Sequence, residues 1–393
     1  MTDLQTCQAM KESILIRNFG PIKELRIDEI RPLTVLIGES ASGKSTILKV
    51  VALFRYIYKL VNIRFYLKNA NINRSPFRIR FDDLLKRNDL ISYVLPNSEI
   101  VYTVATHGNT YELRYNKKLV ISSAISNEDL KFFKGSFISE NRNMIPTWAS
   151  RVASNRGASL GFYFHETYND FEEATNNLQE LPFDFLGLKF KVGKVANRKK
   201  YMIESLGDAH KPIDLRVASS GVQTLTPLLA ITTYYAHGFS FKEAIKRSIL
   251  SYLYEADKLS KFQPSVEPTD LPRYVHLHVE EPELSLYPDA QIALTRELVR
   301  LLFFEKDAPA KMGMLVATHS PYIVNYLNLL LQMGLREDAD VYLKESQLAV
   351  YKVEDGTLRP LNGTDDEGNP VIDAYPLSAP MVEMYENYVS NQR

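Results

Sequence analysis

Gly38-Glu39-Ser40-Ala41-Ser42-Gly43-Lys44-Ser45 sets two glycines, a lysine and a hydroxyl at the spacing G-x-x-x-x-G-K-[ST]. These residue types suit a phosphate cradle. Successive backbone N–H groups must turn toward one anion, which asks for glycine where a Cβ would block the curl. Lys44 then reaches the terminal phosphates, and the Ser45 hydroxyl offers a ligand to Mg²⁺. A helix starting here adds its positive end. Val275-His276-Leu277-His278-Val279-Glu280-Glu281-Pro282 is the second motif, an apolar strand ending in two carboxylates. The first suits a metal shell and the second the polarising of an attacking water; taken alone, the same residues also read as a solvated acidic cluster.

Three further segments carry polar chemistry. Ala317-Thr318-His319-Ser320-Pro321 ends an apolar run with a histidine where open α/β sheets place ligands, making His319 a terminal-phosphate sensor candidate. Ser219-Ser220-Gly221-Val222-Gln223 is an anion cradle at a helix start, or equally an ordinary N-cap. His276 and His278 alternate with Glu280 on one strand face, which suits a structural pair beneath helices better than a metal site.

Positioning elements can be read around these motifs. Residues 14–19 and 22–27 read as strands flanking the turn Gly20-Pro21, and Leu33–Ile37 as a buried strand. Residues 44–67 lack Gly and Pro and read as a helix. Residues 100–104 and 111–115 form an expected hairpin around His107-Gly108-Asn109-Thr110. An acidic helix is expected over 172–181, and Arg198-Lys199-Lys200 reads as a solvated turn. Strands are expected at 274–279 and 314–317, an amphipathic helix at 289–304, and a late hairpin turning at Glu354-Asp355-Gly356.

The 393 residues suffice for two or three folded units. The single cysteine, Cys7, excludes an intramolecular disulfide framework and a clustered cysteine zinc site. No leader-like N-terminus and no apolar run of membrane-spanning length is present, so a cytoplasmic protein without membrane contact is expected. Net charge is zero, yet residues 1–250 sum to +11 and residues 251–393 to −11. Between Glu39 and Asp82 no acidic residue interrupts Lys44, Lys49, Arg55, Lys59, Arg64, Lys68, Arg74, Arg78 and Arg80. This Lys44–Arg80 stripe could meet nucleic-acid phosphates, or be a solvated face packed against the acidic half.

As a set, these motifs resemble the ABC-class ATPases, in the branch of the overcoming-lysogenisation-defect (OLD) proteins and of RecF-like and SMC-like heads. The resemblance covers about 1–66 and 216–330. It implies an α/β fold: a P-loop head with a mostly parallel core sheet, an antiparallel β-subdomain and a mixed insertion. The implied organisation is 1–66 as N-terminal lobe, 67–215 as β-subdomain and insertion, and 216–393 as C-terminal lobe. It implies ATP and Mg²⁺ as cofactors: Gly38 to Ser45 with Thr46 around the phosphates, Ser45 and Glu280 on the metal, and Glu281 and His319 as catalytic groups. Ser219, Ser220, Gly221 and Gln223 match the signature that reaches the nucleotide across a head-to-tail dimer. Glu280 stands where transporters use Asp, and Tyr287 replaces a usual His. Phe137–Arg142 lies where the branch carries a glutamine, and holds none.

Gly221 and Glu280 are 59 residues apart, too far for a transporter subunit, and no heptads support a long coiled coil. Only 74 residues follow His319, too few for an appended nuclease domain. The resemblance therefore implies a stand-alone ATPase switch that assembles with itself and controls a separately encoded effector, such as a nuclease, in bacterial anti-phage defence. A RecF-like DNA-repair ATPase and a slow-turnover ATP-bound scaffold are the rival expectations.

Overall fold

A computed structural model describes residues 10–72, 79–150, 160–195, 198–207, 211–245, 249–250, 253–254, 257–264, 266–336 and 339–390. The chain opens with β1 (Lys11–Phe19), β2 (Ile22–Ile27), β3 (Leu33–Ile37) and the long α1 (Lys44–Asn69). Next come α2 (Phe81–Arg87), β4 (Val94–Thr106), β5 (Asn109–Asn116), β6 (Lys118–Ile121) and β7 (Phe132–Ile138). The middle holds α3 (Ile145–Ser150), α4 (Phe162–Asn177), β8 (Glu180–Phe183), β9 (Leu188–Val195), β10 (Arg198–Ser205) and β11 (Ile213–Asp214). Then follow α5 (Ser220–Thr233), α6 (Phe241–Ile245), β12 (Arg273–Glu280), α7 (Pro288–Phe303), β13 (Lys311–Thr318) and α8 (Pro321–Met333). The chain continues with β14 (Leu348–Glu354), β15 (Thr357–Pro360), β16 (Asn362–Thr364), β17 (Pro370–Ile372) and α9 (Tyr375–Ser390).

The core is a six-stranded sheet in the order β15-β14-β3-β13-β12-β7. All neighbours run parallel except the hairpin partner β15. Strands covered on both faces read as near-continuous apolar runs; every residue of β3 (LTVLI) is buried, with Thr34 donating to the Arg31 carbonyl. Register sets the chemistry: Ile37 pairs with Thr318, Ala317 with Glu280, and Val279 with Ile138. The carboxyl ends of β3, β13, β12 and β7 therefore finish side by side, and the loops leaving them share one edge.

A second, antiparallel sheet has the order β2-β1-β4-β5-β6. Its β4–β5 hairpin turns on two residues, with His107 at φ 47° and Gly108 at φ 82°, the mirror-type turn that suits strand twist. Between the sheets runs α1, most of whose residues are buried, with apolar side chains such as Ile47, Val51, Phe54 and Ile57 in the core and Lys44 and Arg55 buried among them. The mixed α/β architecture is the one anticipated, a mostly parallel core sheet beside an antiparallel subdomain.

Two local expectations need correction. The helix expected over 172–181 is α4, which starts ten residues earlier; Leu181 lies in β8. Its core stripe is Phe164, Phe171 and Ala174, so the Glu172-Glu173 pair marks only its later part. Arg198-Lys199-Lys200 is not a turn but the start of β10, where Lys199 Nζ meets the Glu172 carboxylate at 3.2 Å and Thr175 Oγ1 at 3.0 Å. Among the described residues no helix is long and apolar enough to cross a membrane.

Candidate functional site

The segment from Gly38 to Gly43 links buried β3 to α1, and close packing explains its glycines. A Cβ on Gly38 would stand 2.2 Å from the Val353 carbonyl oxygen of β14, so any side chain there forces the backbone to shift. Gly43 has φ +106°, in the region glycine favours. The Lys44 ammonium folds back into the loop and donates to the Gly38 and Glu39 carbonyls at 2.9 and 2.7 Å. Burial lowers its pKa, opposed by Glu281 and Glu283. Beside Glu39–Ser42 lies a cavity of about 360 Å³, closed by Pro21, Lys23 and the β14–β15 turn at Asp355-Gly356. Thr46, the third residue of α1, is buried.

At the tip of β12, Glu280 is 2% exposed, and its Oε2 has no donor among the described residues. The Ser45 hydroxyl and the Glu140 carboxyl are near enough to the Glu280 carboxyl to act on its charge. Burial, then Glu140, push the Glu280 carboxyl up, while the contact with Glu280 holds Glu140 down. A hydroxyl and two crowded carboxyls, one of them desolvated, form the hard oxygen set that a small divalent cation relieves, so the residues present fit Mg²⁺. Glu140 was missed in the sequence because a glutamine was sought in the segment where a glutamate stands.

Glu281 follows with φ 44°, an uncommon backbone for a non-glycine residue. Its N–H donates to the Ala317 carbonyl at 2.8 Å, and its carbonyl accepts from Arg142 at 2.5 Å. This twist brings its carboxylate 3.7 Å from His319 Nε2. The His319 backbone N–H donates to Glu283 Oε1 at 2.6 Å, so a fourth carboxylate fixes the loop after β13.

Arg142, wholly buried, is the second residue missed. It donates to the backbone carbonyls of Ser139, Thr224, Glu280 and Glu281. One guanidinium thus fastens the turn beside Glu140, the end of β12 and the helix α5. Burial lowers its pKa to about 10, with the nearby glutamates opposing, so it stays charged at neutral pH.

Ser219 caps α5 by accepting from the Val222 N–H. Gly221 lies against the loop after Glu281: a Cβ there would come 2.7 Å from the Ser285 carbonyl oxygen. Thr224 Oγ1 donates to the Leu284 carbonyl at 2.8 Å, and Gln223 Nε2 to the Arg216 and Ala218 carbonyls. The fold thus gathers Gly38–Thr46, Glu280, Glu281 and His319 into one group. It sets Ser219–Gln223 beside the 284–286 loop, with Ser219 and Ser220 exposed.

His276 and His278 are buried, and their neighbours are structural. Arg55 forms a buried ion pair with Glu12 at 2.6 Å and contacts His278 Nε2 at 3.2 Å. Among the described residues no cluster of three or more His, Cys, Asp or Glu is placed to hold a metal. The same pair breaks the basic stripe: Arg55 faces the interior, Lys44 belongs to the phosphate loop and Lys59 is half-buried. Arg74 and Arg78 lie outside the described residues.

No family model matches the sequence. Over 48 residues, 12% of the chain, it is 40% identical to the uncharacterized protein MJECL10 of Methanocaldococcus jannaschii. The chain spans 22% of that protein's length. Among solved structures, the SMC head domain from Thermotoga maritima aligns over 90% of this chain and 98% of its own, at 13% identity and TM-score 0.35. The recombination mediator protein RecF-ATPrS of the RecFOR pathway aligns over 90% and 99%, at 12% identity and TM-score 0.38. The site's chemistry rests on its own side chains.

Proposed function

We propose that this chain is a Mg²⁺-dependent ATPase that works as a self-assembling switch. One observation carries the reading: a lysine-bearing phosphate loop, an oxygen set fit for Mg²⁺ and a carboxylate–histidine pair meet at one sheet edge. Lys44 exchanges its two loop carbonyls for phosphate oxygens. Ser45, Glu280 and Glu140 hold the cation, which when bound offsets the charge on the phosphoryl group. Glu281 accepts a proton from water as its oxygen attacks the terminal phosphorus and the bond to the ADP oxygen breaks. His319 holds Glu281 in place and reads the terminal phosphate.

The exposed Ser219 and Ser220, beside Val217 at 74% and Tyr287 at 75% exposure, suit a head-to-tail partner of the same chain. In this reading, closure of that pair on ATP governs a separately encoded effector, and the ABC-class resemblance supports a place in anti-phage defence. A RecF-like reading with a nucleic-acid partner stays beside it, drawing on the basic stripe without Arg55, which is spent on Glu12.

Phosphate release and mass in solution test the reading together. Glu281→Gln should cut turnover by about a hundredfold or more, the share of a general base, and should accumulate an ATP-dependent dimer. Unchanged turnover in that variant removes Glu281 from the mechanism; a monomer under all conditions removes the switch.

A further inference from the structure

A second cavity, of about 310 Å³, lies along the middle of α1 and includes no residue of the phosphate loop in its lining. Its volume falls at the lower end of small-molecule sites, about 300–1,000 Å³. It opens over the edge strand β7, where Gly135 leaves the floor bare: a Cβ there would meet nothing within 4 Å. Its lining is rich in aromatic rings: Phe133, Phe137, Phe162 and Tyr163.

The charges in this cavity do not cancel. Arg55 is committed to Glu12, and Lys134 to Asp170 at 2.9 Å. Lys59 and Arg87, which also line it, form no hydrogen bond or ion pair among the described residues; Arg87 lies over the Phe162 ring at 4.5 Å. The one acid in the lining is Glu166, whose carboxyl is pushed up by burial and then by Asp170. Two cations without a hydrogen-bonded partner among the described residues share the charge of one reluctant acid, Glu166, and the excess leaves a place for an anion. Burial, and next to it Lys134, hold the Lys59 amine down at about 8, a strain that a bound anion relieves.

From the bare floor, the ring-lined walls and the two cations, we infer that this cavity binds a nucleoside monophosphate, separately from the ATP site. The base lies on the aromatic faces, where stacking is worth about 1–3 kcal/mol. The phosphate takes Lys59 and Arg87. A dinucleotide or triphosphate would bring more negative charge than these two cations match. Tyr163 links the two sites: it lines this cavity and carries Lys49 over its ring at 5.1 Å, and Lys49 acts electrostatically on Glu280.

Calorimetric titration of the full chain with AMP, GMP, CMP and UMP tests this, using Lys44→Ala throughout to disable the phosphate loop. At least one monophosphate should bind that chain. Adding Lys59→Ala should weaken it about tenfold or more, the usual loss of a charge-assisted contact. Adding Gly135→Leu, which fills the cavity and leaves both cations, should abolish it. A thermal melt confirms that each variant is folded, and ATP binding by a chain carrying Gly135→Leu alone should match wild type. No binding by the Lys44→Ala chain overturns the inference, as does binding indifferent to Lys59→Ala and Gly135→Leu. Equal affinity for ribose 5-phosphate overturns the nucleoside assignment, since the aromatic walls would then contribute nothing. Loss of ATPase activity in Glu281→Gln, or its persistence, leaves these outcomes untouched.

Discussion

Arg142 shows how far one side chain can set a site that it does not enter. Its donors end on four carbonyls, from the turn beside Glu140, from both residues of the β12 tip and from α5. Glu281 keeps its left-handed backbone because two bonds hold it, its N–H to Ala317 and its carbonyl to Arg142. Arg142→Met should cost about 3–5 kcal/mol, read from the urea midpoint, because it leaves several buried carbonyls without donors. Arg142→Lys separates positioning from folding. A lysine keeps the charge but cannot fork toward several carbonyls, so kcat should fall about tenfold or more while KM for ATP changes little. Equal kcat in a folded Arg142→Lys chain would show that Arg142 serves stability alone. Nothing local in the sequence announces this role. The carbonyls it joins come from residues up to 139 positions away, and backbone acceptors leave no mark on side-chain patterns.

At the scale of elements, the phosphate loop is packed as tightly against its own chain as it would be against a ligand. Gly38 touches β14, and Gly356 sits so near the Gly20-Pro21 turn that a Cβ would come 2.3 Å from the Pro21 carbonyl oxygen. Gly38→Ala should therefore lower the melting temperature by a few degrees without any nucleotide, an overpacking cost of about 1–3 kcal/mol. Lys44→Ala, which crowds nothing, should melt near wild type. Equal melting of both variants would mean that Gly38 answers only to phosphate. This double duty explains which parts of the fold were legible. The loop, β3, β12 and β13 follow from local composition, since buried parallel strands read as near-continuous apolar runs and the loop needs its glycines. The start of α4 did not, because its aromatic stripe at Tyr163, Phe164 and Phe171 spells no acidic helix. Nor did Lys199, whose partners on α4 come from tertiary packing. The pairing of Glu140 with Glu280 arises from the register of β7 beside β12, which no spacing along the chain encodes.

At the scale of the molecule, the two main sheets are joined by a buried polar chain. Glu12 comes from β1 of the antiparallel sheet, Arg55 from α1, and His276 and His278 from β12 of the core sheet. Tyr102 of β4 also bonds Glu12. Burial opposes the charge on Glu12, but Arg55 and the hydrogen bonds outweigh it and bring the carboxyl down to about 2. Burial, then the Arg55 charge, lower His276 to about 3. Both shifts give stability the same sign. As pH falls below about 6.5, the unfolded chain protonates histidines that the fold keeps neutral, and below about 4.5 it protonates Glu12 while the fold holds it ionised. Stability therefore drops in two windows on acidification, the second spanning pH 4.5 to 2. Glu12→Gln isolates that second window. The variant leaves Arg55 buried without its counter-charge and should be less stable than wild type at pH 7. The gap between their urea midpoints should then close as pH falls from 4.5 toward 2, where wild-type Glu12 takes up its proton. A gap that stays constant over that range would show that the Glu12–Arg55 pair does not carry the junction between the sheets.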